Sequence, residues 1–235
     1  MNYKNKTVLI TGSSKGIGKA IAKTLLKNKY YVIGISRTHT IKHKNYYGIK
    51  QDLFDEEGFT RVLNDIRKSN QNIVAVISNA GSGSFKKLEN YSNKDIKNYI
   101  NLNLISHIIL AKTFVDYFKR KKNGYFIFNG SEAANIGSKR ATLYSSAKHG
   151  LLGLAKSLRY ECNSSGIRVS IINSSMVKSD FFKNLDFEPG ESNENFIKTK
   201  DIAELILFLL QSSKNINYFD INLDPLKKVI NFNKK

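Results

Sequence analysis

"KTVLITGSSKGIGKAIAKTLLKNK", residues 6–29, decides the fold. Its opening, "KTVLIT" (6–11), is a short β-branched apolar run of the kind that forms a buried strand. From Gly16 the periodicity changes. "GIGKAIAKTLLKNK" (16–29) sets Ile17, Ile21, Ala22, Leu25 and Leu26 on one side of a helix. Between them lies "TGSSKGIG" (11–18). There Gly12 permits a tight turn, Gly16 lets a pyrophosphate approach the backbone, and Gly18 lets helix and strand pack closely. A helix start in that position faces phosphates with free N–H groups and a positive dipole end. Three residues separate the first two glycines, so the spacing is not G-x-G-x-x-G. An ordinary turn is the competing reading; the position between strand and helix argues for the phosphate loop.

Working outward, the alternation continues. "YYVIGIS" (30–36), "YYGIKQD" (46–52), "NIVAVISNAG" (72–81), "GYFIFNGS" (124–131), "IRVSIIN" (167–173) and "NYFDINL" (217–223) read as strands. Helical spacing marks 56–69, about 93–121, 142–163 and 200–212. Strand and helix in turn predict an α/β fold: a single doubly wound, mostly parallel, Rossmann-like sheet with helices on both faces. Residues 1–235 read as one domain. "NLDFEPGESNEN" (184–195) is polar and lies inside it, which suggests a mobile loop over a site, within a substrate loop near 176–197.

Composition narrows the partners. No run of apolar residues is long enough for a membrane span, and the start lacks the apolar core of a signal peptide. One cysteine, Cys162, allows no internal disulfide and reads as a packing residue. A cytoplasmic location is the expectation. Lys and Arg total 38 against 19 Asp and Glu, a net charge of +19. The basic residues are mostly scattered lysines, and arginine, the better reader of bases and phosphates, is scarce. Nucleic acid is therefore not the expected partner; attraction of anionic cofactors and substrates is. His39, His43, His107 and His149 lack ligand-like spacing, so no metal site is expected.

Two further details carry chemistry. NAD-binding folds commonly end the second strand with an acid that holds the ribose 2′-hydroxyl. Here that place holds Ser36 and Arg37. An arginine fork binds a 2′-phosphate that a carboxylate would repel, and Lys15 can reach the same phosphate. Together they favour NADP(H), unless both are only solvated surface charges. The second detail is "YSSAK" (144–148), which puts Tyr144 and Lys148 one helical turn apart on a common face. Such a pair is either surface decoration or a tuned proton donor, with the ammonium expected to lower the phenol's pKa.

With these residues the chain resembles the short-chain dehydrogenase/reductase family over nearly its whole length. The family's glycine motif stands as Thr11 to Gly18, which brings Ser14 and Ile17 into the expected cofactor site. Its Asp-apolar pair matches Asp52 and Leu53, and its N-A-G matches Asn79, Ala80 and Gly81. Its helix asparagine matches Asn103, its serine Ser131, and its Y-x-x-x-K Tyr144 and Lys148. After the sixth strand the family's Pro-Gly is replaced by Ser174 and Ser175, while Val177 and Ser179 keep the rest of that motif.

The resemblance implies NADPH-dependent reduction of a ketone or aldehyde. Tyr144 would be the proton donor, Lys148 would tune it and hold the ribose, Ser131 would position the substrate oxygen, and Asn103 would hold a water. A homodimer or homotetramer is also implied. The apolar surplus would come from Ile105, Ile108, Ile109, Ala111 and Phe114 on one helix, and Leu151, Leu154 and Leu158 on another. A non-catalytic NADP-binding regulator and a 3-oxoacyl-carrier-protein reductase stay open. Phe181 and Phe182 either line a pocket or pack, and the C-terminal "DPLKKVINFNKK" either joins an interface or covers the sheet edge.

Overall fold

The structure, a computed structural model, describes residues 6–69 and 72–232. The chain opens with β1 (Thr7–Thr11), α1 (Gly16–Lys27), β2 (Tyr31–Ser36) and β3 (Tyr46–Lys50). Next come α2 (Glu56–Lys68), β4 (Ile73–Ser78), α3 (Asn93–Ile100), a π-helical segment (Asn101–Ile105) and α4 (Ser106–Lys121). β5 (Gly124–Asn129), α5 (Thr142–Cys162) and β6 (Ile167–Ser174) follow, then the short strands β7 (Val177–Lys178), β8 (Phe187–Pro189) and β9 (Ile197–Lys198). α6 (Thr199–Gln211), β10 (Ile221–Leu223) and β11 (Ile230–Phe232) complete it.

Seven strands form one parallel sheet in the order β10-β6-β5-β4-β1-β2-β3. Side chains alternate across it with period two. Leu9, Phe126 and Phe128 enter the core under α2, α4 and α5. Val8, Ile10, Tyr125 and Ile127 enter the opposite core under α1 and α6. Burial on both faces explains why these strands read as unbroken apolar runs. The winding reverses between β1 and β4. The loops after those two strands therefore part at the carboxyl edge of the sheet and leave a crevice there.

Local chemistry sets the helix ends. Asp55 caps α2 by accepting from Gly58 N at 2.9 Å, and Glu56 and Glu57 lie in the first turn, where the dipole favours them. Ser92 and Asp95 cap α3 reciprocally.

Three elements differ from their sequence reading. The helical region expected at about 93–121 is interrupted by the π segment, which turns Asn103 into the interior at 0% exposure. The last strand is shorter than "NYFDINL". Asp220 has φ +55, which breaks the extended backbone, and Asn217 instead bonds β6 with its side chain through Val169 N (2.7 Å) and Val169 O (2.9 Å). The C-terminal stretch, read as joining an interface or covering the sheet edge, pairs at Ile230–Phe232 antiparallel with Phe187–Pro189 in a two-stranded sheet of its own. That pairing gives the polar loop at 184–195 a strand of its own.

Candidate active site

The crevice begins at the glycine loop. Gly12 (φ +73) and Gly16 (φ +53) hold left-handed backbone that favours glycine. Gly18 is required for a different reason: a Cβ there would lie 2.2 Å from the carbonyl oxygen of Gly12. Thr11 Oγ1 accepts from both Asn79 N (3.0 Å) and Ala80 N (3.1 Å), and Asn79 Nδ2 donates back to Thr11 O (3.0 Å). These bonds lock the N-A-G turn after β4 to the glycine loop after β1.

The residues around this cleft fit an anionic dinucleotide. Lys15 caps α1 without a side-chain hydrogen bond, and the first turn holds no acid, so its N–H groups are left to face a phosphate. The cleft is about 660 Å³ and is lined by Gly12, Ser14, Lys15, Gly16, Ile17 and Gly18 on one side. Ser36, Arg37, Asp52, Leu53, Ala80 and Gly81 are among the residues that line the rest. Lys15 and Arg37 are exposed at its rim. The residue ending β2 is a serine and presents no carboxylate; its hydroxyl donates to Ile35 O at 2.7 Å.

A second cavity of about 530 Å³ continues from the first, and Ile17, Asn79, Gly81, Asn129 and Ser179 line both. It gathers Asn103, Ser131, Tyr144, Lys148 and Val177 from the π segment, the loop after β5, α5 and β7. Ser131 Oγ accepts from Ala133 N (3.2 Å), as a turn cap would, and its backbone N–H donates to Asn173 Oδ1 (3.3 Å). Lys148 Nζ donates to Asn129 O at 2.9 Å and lies 5.9 Å from the centre of the Tyr144 ring. Asn103 is engaged on both ends of its amide: Oδ1 accepts from Ser82 N (3.0 Å) and Nδ2 donates to Tyr99 O (3.1 Å).

The electrostatics correct one expectation. Lys148 does not pull the Tyr144 phenol below its ordinary range in this structure. Burial pushes that pKa up to about 12, against the hydrogen bond from Ser131, while Glu132 adds to the rise. Burial also brings Lys148 down to about 8. Desolvation opposes both charged forms.

Residues the sequence passed over complete the site. Asn129 holds Lys148 with its carbonyl and donates through Nδ2 to Asn79 Oδ1 (3.0 Å), joining the two cavities. Its position two residues before Ser131, at the end of β5, was the available signal. Phe85, Phe187, Ile230 and Phe232 also line the second cavity, together with Phe181 and Phe182. No periodicity marks this set, because it assembles from separate loops. Ser175 N donates to Leu223 O (2.9 Å) and Val177 pairs with Ile197, so the segment lacking Pro-Gly is held by β10 and β9 instead.

Several of the remaining singled-out residues pack within the chain, while His43 and His149 are exposed. Cys162 is fully buried. His107 is buried against Ser78 (2.6 Å), and burial lowers its pKa to about 3. Of the helix residues read as an apolar surplus, Ala111, Phe114, Leu151 and Leu158 are buried in this chain's own core, and Ile108 is exposed. The surplus is smaller than the sequence suggests, because α2, α4 and α5 cover one another. Among the described residues no group of His, Cys, Asp and Glu is arranged to hold a metal ion, and no helix is long and apolar enough to cross a membrane.

Comparison with known proteins gives a consistent result. Residues 6–189 match the family described as short chain dehydrogenase. The chain is 33% identical over 231 residues to the 3-oxoacyl-[acyl-carrier-protein] reductase FabG of Buchnera aphidicola subsp. Acyrthosiphon pisum, covering 93% of this chain and 94% of that one. The solved structure of ElxO with NADP bound superposes with a TM-score of 0.82 at 27% identity, covering 94% of this chain and 98% of the other. An alcohol dehydrogenase from the archaeon Thermococcus sibiricus, complexed with 5-hydroxy-NADP, shares the fold at a TM-score of 0.84 and 24% identity, covering 95% and 98%.

Proposed function

This chain belongs to the short-chain dehydrogenase family and is an oxidoreductase; from that premise we propose that it reduces a ketone or aldehyde with NADPH, Tyr144 giving the proton. One observation carries the reading: Tyr144, Ser131 and Lys148 converge on a cavity continuous with the glycine-loop cleft. The Buchnera relative named for carbonyl reduction and the NADP-bound ElxO structure support it.

Bound NADPH supplies the hydride. Gly12, Ser14, Gly16 to Gly18, Ser36, Asp52, Leu53 and Asn79 to Gly81 would hold the dinucleotide, Arg37 and Lys15 its 2′-phosphate, and Val177 and Ser179 its nicotinamide end. Ser131 binds the substrate oxygen and fixes its approach. Tyr144 donates its proton as negative charge develops on that oxygen. Lys148, anchored by Asn129 O, stabilises the phenolate left behind and holds the ribose. Asn103 fixes the loop at Ser82 with its side chain.

The second reading is a 3-oxoacyl-carrier-protein reductase, favoured by the name of the Buchnera relative and by the net charge of +19. Residues 1–235 act as one oxidoreductase domain with a mobile substrate loop near 176–197; the single large sheet supports this. A cytoplasmic homodimer or homotetramer is part of the proposal, supported by the exposed Ile108 of α4 and Tyr160 of α5.

The test is NADPH oxidation across a panel of carbonyl compounds. Carbonyl-dependent turnover is expected. NADPH binding without turnover of any carbonyl would favour the non-catalytic NADP-binding regulator. The pH profile supplies a separate check. Lys148 loses its charge as pH rises through about 8, whereas Tyr144, raised to about 12, keeps its proton. Reduction is therefore expected to slow as pH rises past about 8, and Lys148→Arg, which keeps its charge, to move that fall to higher pH. A profile flat through this range in the unaltered protein would remove Lys148 from the proton transfer.

A further inference from the structure

Resting on that reading of the site, we propose that its substrate is a compact, uncharged ketone with an apolar ring, and that Phe187 and Phe232 set this specificity. The proposal starts from the walls. From the Tyr144 ring an unbroken series of aromatic contacts runs outward: Tyr144 to Phe85 at 5.1 Å, Phe85 to Phe187 at 4.9 Å, and Phe187 to Phe232 at 6.4 Å between centroids. Phe182 joins the same wall 5.8 Å from Phe187. The rings meet edge-on or tilted, not in parallel stacks. Such a wall offers both ring edges and ring faces to a flat guest, a geometry aromatic pairs prefer.

The wall is closed by the chain's own C-terminal strand. Phe232 lies directly across from Phe187 in the β8–β11 pair. It is nevertheless 71% exposed, and Ile136 and Ile230 on the same cavity are 54% and 40% exposed. Large apolar side chains clustered at the mouth of a cavity call for an apolar partner, and here the ligand is the nearest candidate.

Charge points the same way. Of the cations that line the cavity besides Lys148, Lys139 is exposed, and Arg140 and Lys228 are already engaged with other elements. Arg140 pairs with Asp186 at 2.6 Å and donates to Phe85 O at 3.0 Å. Lys228 pairs with Glu132. Both pairs tie the substrate loop or the C-terminal segment across the opening, instead of presenting charge to a carboxylate or phosphate of the substrate. A cavity of about 530 Å³ has room for a ring ketone with both pairs in place.

The test compares 1-tetralone and acetophenone with acetone, pyruvate and a 3-oxoacyl N-acetylcysteamine thioester, each with NADPH. The ring ketones are expected to show at least about tenfold higher kcat/KM than the others. Phe232→Ala and Phe187→Ala are each expected to raise KM for ring ketones about tenfold, a larger rise than for acetone, and Phe232→Tyr to restore the original KM. Calorimetric titration of 1-tetralone into the NADP-loaded protein should show the same loss of affinity. Equal or better use of the thioester, acetone or pyruvate would overturn the inference while leaving carbonyl reduction standing. NADPH binding with no carbonyl reduced and no heat from 1-tetralone would overturn both. Ring ketones that bind but are not reduced would support this substrate class and overturn the reduction.

Discussion

Replacing Tyr144 with phenylalanine is expected to lower carbonyl-dependent NADPH oxidation by about 10²- to 10⁴-fold, the range contributed by a positioned general acid. NADPH affinity is expected to stay the same. The substitution keeps the ring and its contacts with Phe85 (5.1 Å) and Phe181 (6.1 Å), and removes only the hydroxyl. Ser131 retains Ala133 N as a partner, so the fold loses little. The phenol is fully protonated at neutral pH, because burial holds its pKa near 12. It is thus a ready donor whose difficulty lies in carrying the negative charge afterwards. Steady-state rates from NADPH absorbance, with binding followed by NADPH fluorescence, separate the two effects. Full turnover in the variant would mean that another group delivers the proton.

The second large effect concerns the phosphate at the rim of the glycine cleft. Arg37→Asp is expected to weaken NADPH use and improve NADH use. A hydrogen bond to a charged group contributes about 1.5–3 kcal/mol, which corresponds to roughly ten- to a hundredfold in kcat/KM for NADPH. The new carboxylate would also repel the 2′-phosphate and accept a hydrogen bond from a ribose 2′-hydroxyl. Ser36, the neighbouring residue, already donates to Ile35 O and would not interfere. Lys15, also exposed, would remain and set a floor on the loss. The ratio of kcat/KM for the two cofactors is the measurement. A ratio unchanged by the substitution would mean that Arg37 is a solvated surface charge.

The fold was readable because a two-sided sheet imposes unbroken apolar strands and helices of period 3.6, and the stretch at 6–29 shows both in succession. The glycine turn was also legible, since glycines forced by φ +73 at Gly12 and by the close approach at Gly18 leave no substitute. What stayed hidden depends on contacts between distant segments. The π segment carries no glycine or proline to announce it. Asp220 and Asn217 shorten the last strand through one backbone angle and one side-chain mimic, which periodicity does not encode. The pairing of Ile230–Phe232 with Phe187–Pro189 brings together residues that no local pattern connects, so the aromatic wall beside Tyr144 could be found only in three dimensions.

The chemistry also shows where sequence reasoning overreached. Helical spacing correctly placed Tyr144 and Lys148 on one face, but spacing carries no information about solvent. Burial of both groups reverses the expected pKa shift of the phenol and gives Lys148 a titration near 8. The lysine thus becomes the pH-sensitive member of the pair.

The most direct experiment uses two isotopes at once: NADPH deuterated at the transferring position, and deuterated water, applied to the unaltered protein and to Tyr144→Phe with the same ketone. In the unaltered protein both substitutions should slow the reaction. In Tyr144→Phe the cofactor isotope effect should persist while the solvent effect disappears. A solvent effect of the same size in the variant would show that the proton never comes from this hydroxyl.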